Sequence, residues 1–268
     1  MHTQDAPRRP LLDRLADLLF PPLCPVTGAQ LDRNGTLSPT ACADLGRIAL
    51  PSRCGKCGRE IPGAAPGADL LCEPCAAQPR PWDRGASALR YEGTGRALVL
   101  ALKRRDRLDI VPMLARWMLA ARPELVAEAD LIAPVPLHWR RRLARRFNQS
   151  AELARAVCRL AGRSEAYAPR LLRRTRATPS QGGLDRKARV ENVAGAFSLA
   201  PGIRLARQRV LIVDDVLTTG ATLSACAQLC KTEGAAAVDV LVCALVSRDD
   251  GPYLSAASDY FFYLYGEI

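Results

Sequence analysis

"RVLIVDDVLTTGATL", Arg209–Leu223, is the stretch on which the fold turns. Four apolar residues, Val210 to Val213, read as a buried strand, and two carboxylates, Asp214 and Asp215, close it. Hydroxyls and a glycine follow at Thr218, Thr219, Gly220 and Thr222, with Ala221 between them. In an open parallel sheet, ligands bind at the carboxyl ends of the strands. Successive strand residues point to opposite faces, so the two acids diverge. Adjacent acids that both stay charged need hydroxyl donors or a cation, and a sugar diol or Mg²⁺ supplies either. The loop then enters a helix N-terminus, where free N–H groups and the positive end of the dipole favour a phosphate. Gly220 allows the backbone to approach closely, and three threonine hydroxyls add donors. A ribose 5-phosphate carries both a diol and a phosphate. The plain alternative, an Asx turn with Thr222 as helix cap, explains one acid and one hydroxyl but leaves the others without a role.

Working outward, apolar runs alternate with helical patterns. Ala86–Tyr91, Asp130–Pro136 and Ala237–Val246 read as strands, and "GAFSL" (195–199) as a short one. Helical periodicity covers Gly95–Arg105, Ile110–Ala121, Thr222–Gly234 and Asn148–Gly162, the last with Asn148 or Ser150 as N-cap. This alternation predicts an α/β fold with a parallel sheet. The aromatic tail Ser258–Ile268 suggests a docked edge strand, and Leu11–Phe20 an amphipathic helix packed on the protein.

The 268 residues fit one or two domains, and 49% hydrophobic residues suffice for a core. Net charge is +11 and the pI about 9.5, which favours anionic partners without choosing among nucleic acid, phosphorylated small molecules and anionic surfaces. Aromatic residues make up only 5%, too few for an extensive base-stacking platform. No apolar run reaches the ~20 residues of a membrane span, and Met1–Pro10 has no signal-peptide pattern. A cytoplasmic location with reduced cysteines is therefore expected.

Six of the ten cysteines lie before residue 76. Cys54-x₂-Cys57 and Cys72-x₂-Cys75 are separated by 14 residues in a Gly/Pro-rich stretch, with Ile61–Leu70 as a hairpin loop. Two such pairs match a Cys₄ zinc ribbon, in which each pair gives two thiolates to one tetrahedral ion. A redox dithiol would need one pair beside a βαβ unit. Cys24 and Cys42 lack second cysteines, with Thr27 and Leu45 in the partner positions, so no metal is expected there. Cys158, Cys226, Cys230 and Cys243 sit in apolar patterns and read as core thiols. A linker, Ala77–Gly85, separates the cysteine module from the α/β region. The expected division is 1–82 and 83–268.

Two polar segments complete the candidate site. In Ala133–Gln149, prolines 134 and 136 stiffen the strand exit. Arg140, Arg141, Arg142, Arg145 and Arg146 follow, of which a helix can aim only some at one ligand. Arginine suits a diphosphate, and the amides of Asn148 and Gln149 stand within reach of the same pocket. His138 reads as a loop histidine bonded to backbone or as a site residue. Arg173–Phe197 is a long basic loop, either functional or simply solvated.

Strand, Asp-Asp, then Thr-Thr-Gly-x-Thr resembles the phosphoribosyl diphosphate (PRPP) signature of type I phosphoribosyltransferases. A receiver domain also carries an acidic pair, but near the chain start and with an acceptor constellation absent here. Pro134-Val135-Pro136, His138, Arg145-Arg146 and Phe147-Asn148-Gln149 resemble the ComF family, although Arg146 stands where that family often has glycine. Thr178 (or Thr175), Gln181, Arg189, Asn192 and Gly195-Ala196-Phe197 extend the likeness. It implies a zinc ribbon followed by a type I phosphoribosyltransferase fold, with structural zinc, Mg²⁺ carried with PRPP, and a mobile lid. Asp214 and Asp215 would hold the ribose, with Thr218–Thr222 on its 5-phosphate. Pro136, His138, Arg146, Asn148, Gln149 and Gln181 would line the PRPP site, and Lys187 and Arg189 would neutralise diphosphate. The implied reaction is pentosyl transfer to an acceptor that the sequence does not name. The family also implies DNA uptake, so a PRPP- or single-stranded-DNA-binding protein without turnover, working with DNA-uptake proteins, is the competing expectation.

Overall fold

A computed structural model describes residues 21–46, 52–63, 70–104, 107–137, 147–176 and 195–246. Four strands form one sheet: β1 (Arg84–Arg90), β2 (Leu131–Pro134), β5 (Arg209–Leu217) and β6 (Ala237–Leu245). Their order is β1-β6-β5-β2 and every pairing is parallel. β3 (Leu172–Arg174) and β4 (Phe197–Leu199) make a separate antiparallel pair.

Alternation along β5 divides the interior. Leu211 and Val213 face a cluster with Leu98 and Leu102 of α3 (Gly93–Arg104), Leu114 of α4 (Val111–Ala121) and Leu153 and Val157 of α6 (Gln149–Leu160). Val210 and Ile212 face the other side, with Leu223 and Cys226 of α7 (Ala221–Thr232) and Phe197 of β4. All nine residues of β6 are buried, as a central strand covered on both faces requires. Asp239 interrupts its apolar run, and the Arg84 guanidinium answers that charge at 2.7 Å. Cys158, Cys226, Cys230 and Cys243 are buried, in line with their apolar patterns.

Each strand of the parallel sheet follows its apolar run within a few residues. Short elements escape the periodicity: the five-residue helices α1 (Pro39–Ala43), α2 (Glu73–Ala77) and α5 (Pro123–Ala127), and β3, which carries two arginines. The segment expected as a linker is packed. Trp82 is fully buried, and the Asp83 carboxylate takes the Lys231 ammonium at 2.7 Å and the Val238 N–H at 2.8 Å. The expected helix at Leu11–Phe20, the hairpin loop beyond residue 63 and the tail strand at Ser258–Ile268 lie outside the described residues.

The cysteine module is built twice. Around Cys54, the Arg59 carbonyl accepts from Cys54 N–H, Gly58 N–H donates to the Cys54 carbonyl, and Arg53 bridges Glu60. Around Cys24, the Ala29 carbonyl accepts from Cys24 N–H, Gly28 N–H donates to the Cys24 carbonyl, and Leu23 bridges Gln30. Gly28 (φ 72°) and Gly58 (φ 77°) make the same left-handed turn, which favours glycine. Ser38 (φ −65°, ψ 156°) then caps α1 as Cys72 (φ −69°, ψ 154°) caps α2 (Glu73–Ala77). The four positions matching Cys54, Cys57, Cys72 and Cys75 are thus Cys24, Thr27, Ser38 and Ala41. This corrects the pairing of Cys42 with Leu45. The helix starts after Ser38, and Cys42 within it is exposed.

Candidate functional site

Asp214 and Asp215 stand near the carboxyl end of β5, where β2 also ends. By strand alternation Asp215 shares the face of Leu211 and Val213, and Asp214 the opposite face. Asp215 meets Lys103, from the last turn of α3, with Nζ 3.0 Å from Oδ1. Asp214 meets Ser150, whose Oγ donates to Oδ1 at 2.8 Å, and the same oxygen accepts Asp215 N–H at 2.9 Å. Burial pushes the Asp214 carboxyl up to about 7, and the Asp215 charge adds to it; the Ser150 hydroxyl, the Asp215 N–H and the Lys103 charge pull the other way. For Lys103, burial favours the neutral amine, but Asp215 and then Asp214 outweigh it and hold its pKa above the usual lysine value. Asp214 thus holds a proton easily, and the pair has one resident cation, Lys103.

Val216 and Leu217 finish the strand, and Gly220 turns the chain into α7. Gly220 is left-handed (φ 81°, ψ 6°) and supplies no side-chain cap. This excludes the reading with Thr222 as cap. The N-terminus of this twelve-residue helix therefore has no side chain at its N-cap, and a helix start of that kind favours an anion. Thr219 Oγ1 accepts Ala221 N–H at 3.4 Å, and Thr218 is exposed. The structure brings Thr218, Thr219, Gly220, Ala221 and Thr222 together with the acids because strand, turn and helix are contiguous.

Pro136 leaves β2 beside the site, half-buried, after Val135 N–H has extended the pairing to the Val213 carbonyl at 2.9 Å. Asn148 caps α6: its side-chain oxygen accepts Ser150 N–H at 3.1 Å, and Nδ2 donates to the Val135 carbonyl at 3.0 Å. Its amide, expected to reach toward a ligand, holds the α6 N-terminus against the β2 exit. Gln149 is buried in the first turn of α6. His138, Arg146, Gln181, Lys187 and Arg189 lie outside the described residues, as do the other loop arginines, Thr178 and Asn192. Sequence reasoning missed Lys103 and Ser150. Ser150 weighed as a cap had already drawn notice; Lys103 is one base among many on an amphipathic helix, and only the crossing of α3 over the sheet singles it out.

The second centre is the cysteine cluster. The four Sγ atoms of Cys54, Cys57, Cys72 and Cys75 lie within 4.8 Å of one another, all buried. Cys57 and Cys72 are 3.6 Å apart, near the tetrahedral edge of about 3.8 Å expected for Zn–S bonds of about 2.3 Å. The Cys54 thiol beside it, followed by Cys72, Cys75 and burial, holds the Cys57 thiol far above its ordinary range. Four thiolates this close need a dication, so the donor set fits zinc, and the fold around them is that of a ribbon. At the matching first-half positions, Thr27 and Ser38 hydroxyls are 3.0 Å apart, and Ser38 N–H donates to Cys24 Sγ at 3.5 Å. Burial raises the Cys24 pKa, but the Ser38 N–H and the Thr27 and Ser38 hydrogen bonds bring it down to about 6. Among the described residues, no helix is long and apolar enough to cross a membrane.

Residues 148–263 match the family model described as "Phosphoribosyl transferase domain". The DNA utilization protein YhgH of Salmonella typhimurium is 36% identical over 215 residues, covering 78% of this chain and 90% of that protein. Its Escherichia coli K12 counterpart is 36% identical over 195 residues, 70% of this chain and 81% of that one. Competence protein F of Haemophilus influenzae is 30% identical over 193 residues, 70% of this chain and 82% of that protein.

Proposed function

Since the chain belongs to the ComF family, we propose that it binds PRPP with Mg²⁺ and transfers the phosphoribosyl group to an acceptor in the service of DNA uptake. The single observation that carries the reading is the pairing of Asp214 and Asp215 with an uncapped α7 N-terminus opened by left-handed Gly220. The carboxylates accept from the ribose 2- and 3-hydroxyls. The α7 N–H groups and the hydroxyls of Thr218, Thr219 and Thr222 take the 5-phosphate. Two hard carboxylate donors suit Mg²⁺, which would be carried with PRPP and would supply charge stabilisation for the departing diphosphate. Lys103 holds Asp215 in an ion pair beside the ribose position. Ser150 and the α6 cap Asn148 fix the direction of Asp214. Displacement at the anomeric carbon then rests on electrostatic stabilisation of the leaving diphosphate. That task falls to Arg146, Lys187 and Arg189, with His138, Gln149, Gln181 and Pro136 lining the site.

Zinc in the Cys54–Cys57–Cys72–Cys75 cluster supports the ribbon of a 1–82 module, with the phosphoribosyltransferase unit at 83–268. The relatives named for DNA utilization and for competence support a role in DNA uptake; a place in the cytoplasm beside DNA-uptake proteins is part of the same proposal. One observation favours a second reading, in which PRPP or single-stranded DNA is bound without turnover: both acids are engaged by Lys103 and Ser150, so neither stands out as a base.

Titrating PRPP, with and without Mg²⁺, into wild type and Asp214→Asn/Asp215→Asn tests the site. Binding that needs Mg²⁺ and falls at least tenfold in the double variant is expected. Equal binding in both proteins, or none in either, overturns the assignment. Diphosphate release in the presence of candidate acceptors separates turnover from binding. DNA binding is tested by a salt titration, where contact with phosphates predicts steep weakening.

A further inference from the structure

The segment leaving the cysteine module touches the phosphate loop. Arg80, three residues beyond α2, donates from Nη1 to the Thr219 carbonyl at 2.6 Å. Its guanidinium lies over the Trp82 ring, 5.3 Å from the centroid. Its Nε is shut off from solvent and has no hydrogen-bond partner among the described residues. Nothing else about Arg80 explains why a long cation should be held there.

The anchoring runs back to the metal-ligating knuckle. Trp82 Nε1 donates to the Lys56 carbonyl at 2.6 Å, and Lys56 Nζ donates to the Trp82 carbonyl at 2.6 Å. Lys56 lies between Cys54 and Cys57, and the Cys57 carbonyl is held by Ser87 Oγ at 2.7 Å. On the other side, a Cβ on Gly220 would stand 2.5 Å from Arg80 Nη1 and 3.1 Å from Trp82 Cη2. Arg80 and Trp82 therefore close over the turn that opens α7.

Across a trans peptide, C=O and N–H point in opposite directions. A Thr219 carbonyl fixed on Arg80 sets the Gly220 N–H facing away from Arg80. We propose that Arg80 is a positioning residue for the 5-phosphate loop, and that through it the cysteine module forms part of the phosphoribosyl site. The inference rests on the phosphoribosyl reading for its ligand but not for its geometry. Without the contact the 219–220 peptide is free to rotate, and the loop must be ordered at the expense of binding.

The test has a ligand-free arm and a ligand arm, in the full zinc-loaded chain, on wild type, Arg80→Met and Arg80→Lys. Amide hydrogen exchange without ligand should be at least tenfold faster at 219–222 in R80M, with protection in β6 and zinc content unchanged. Kd should rise at least tenfold for PRPP and by the same factor for ribose 5-phosphate, but less than twofold for diphosphate alone, which has no 5-phosphate. R80K, with one donor end retained, should recover part of both effects. Loop exchange within twofold of wild type overturns the proposal. So does a loss of protection that spreads to β6, which marks Arg80 as a residue of the fold at large. If wild type binds neither PRPP nor ribose 5-phosphate, the phosphoribosyl reading falls, and the exchange arm still decides whether Arg80 sets the loop.

Discussion

Lys103 and Asp215 form an ion pair of 3.0 Å between the last turn of α3 and the end of β5, with side chains only 24% and 14% exposed. Two elements far apart in the chain thus meet at the acidic pair. Breaking one side of a shielded pair leaves an uncompensated charge, which costs more than the pair itself contributes.

Lys103→Met should therefore lower stability by about 2–4 kcal/mol. Lys103→Met/Asp215→Asn should recover most of that loss. Urea unfolding of the four proteins at pH 7 gives the coupling energy, expected at roughly 1–3 kcal/mol. Additive losses would show that the two groups do not sense each other.

Asp214 carries a pH signature. Its folded pKa, near 7, lies above the unfolded value of about 3.9. Between those values the folded state holds a proton that the unfolded state has released. The Asp214 contribution to stability is then greatest below about pH 4, falls as pH rises to about 7 by up to about 1.4 kcal/mol per unit, and levels off above. Asp214→Asn removes this slope, so it should melt higher than wild type at pH 8 and nearly equal at pH 4.5. Melting curves across pH check it. PRPP binding to the carboxylate form should also release a proton below pH 7, seen as buffer-dependent heat.

Metal analysis should find about one zinc per chain. Cys57→Ser should abolish it and destabilise the protein by several kcal/mol, because a ribbon this small has little core of its own. A variant that keeps its zinc would contradict the four-sulfur site.

The first half of the module makes a sharper claim. Cys24, Thr27, Ser38 and Ala41 occupy the backbone positions of Cys54, Cys57, Cys72 and Cys75. Thr27→Cys/Ser38→Cys/Ala41→Cys should raise zinc content from about one equivalent to about two. The control Thr27→Cys/Cys42/Leu45→Cys, which keeps the native Cys42, should not, because Cys42 is exposed and off the ligand position.

The sequence by itself determined the strands of the sheet, the carboxylate pair and the loop that follows it, and the four-sulfur set. All of these are local: apolar runs mark buried parallel strands, and two-residue cysteine spacing sets a knuckle. The α7 cap was legible only in part, because both glycine and threonine suit a helix start. Which first-half residue stands in each ligand position was decided by where α1 begins, and the spacing of cysteines pointed one turn too far. Lys103, Ser150 and Arg80 come from three separate segments, and no periodicity links them to residues 214–222. Their place depends on how α3 and α6 cross the sheet and how Trp82 packs beneath the phosphate loop. Contacts between residues distant in sequence carry no local signal, so the partners of the acids and of the loop belong to the tertiary structure alone.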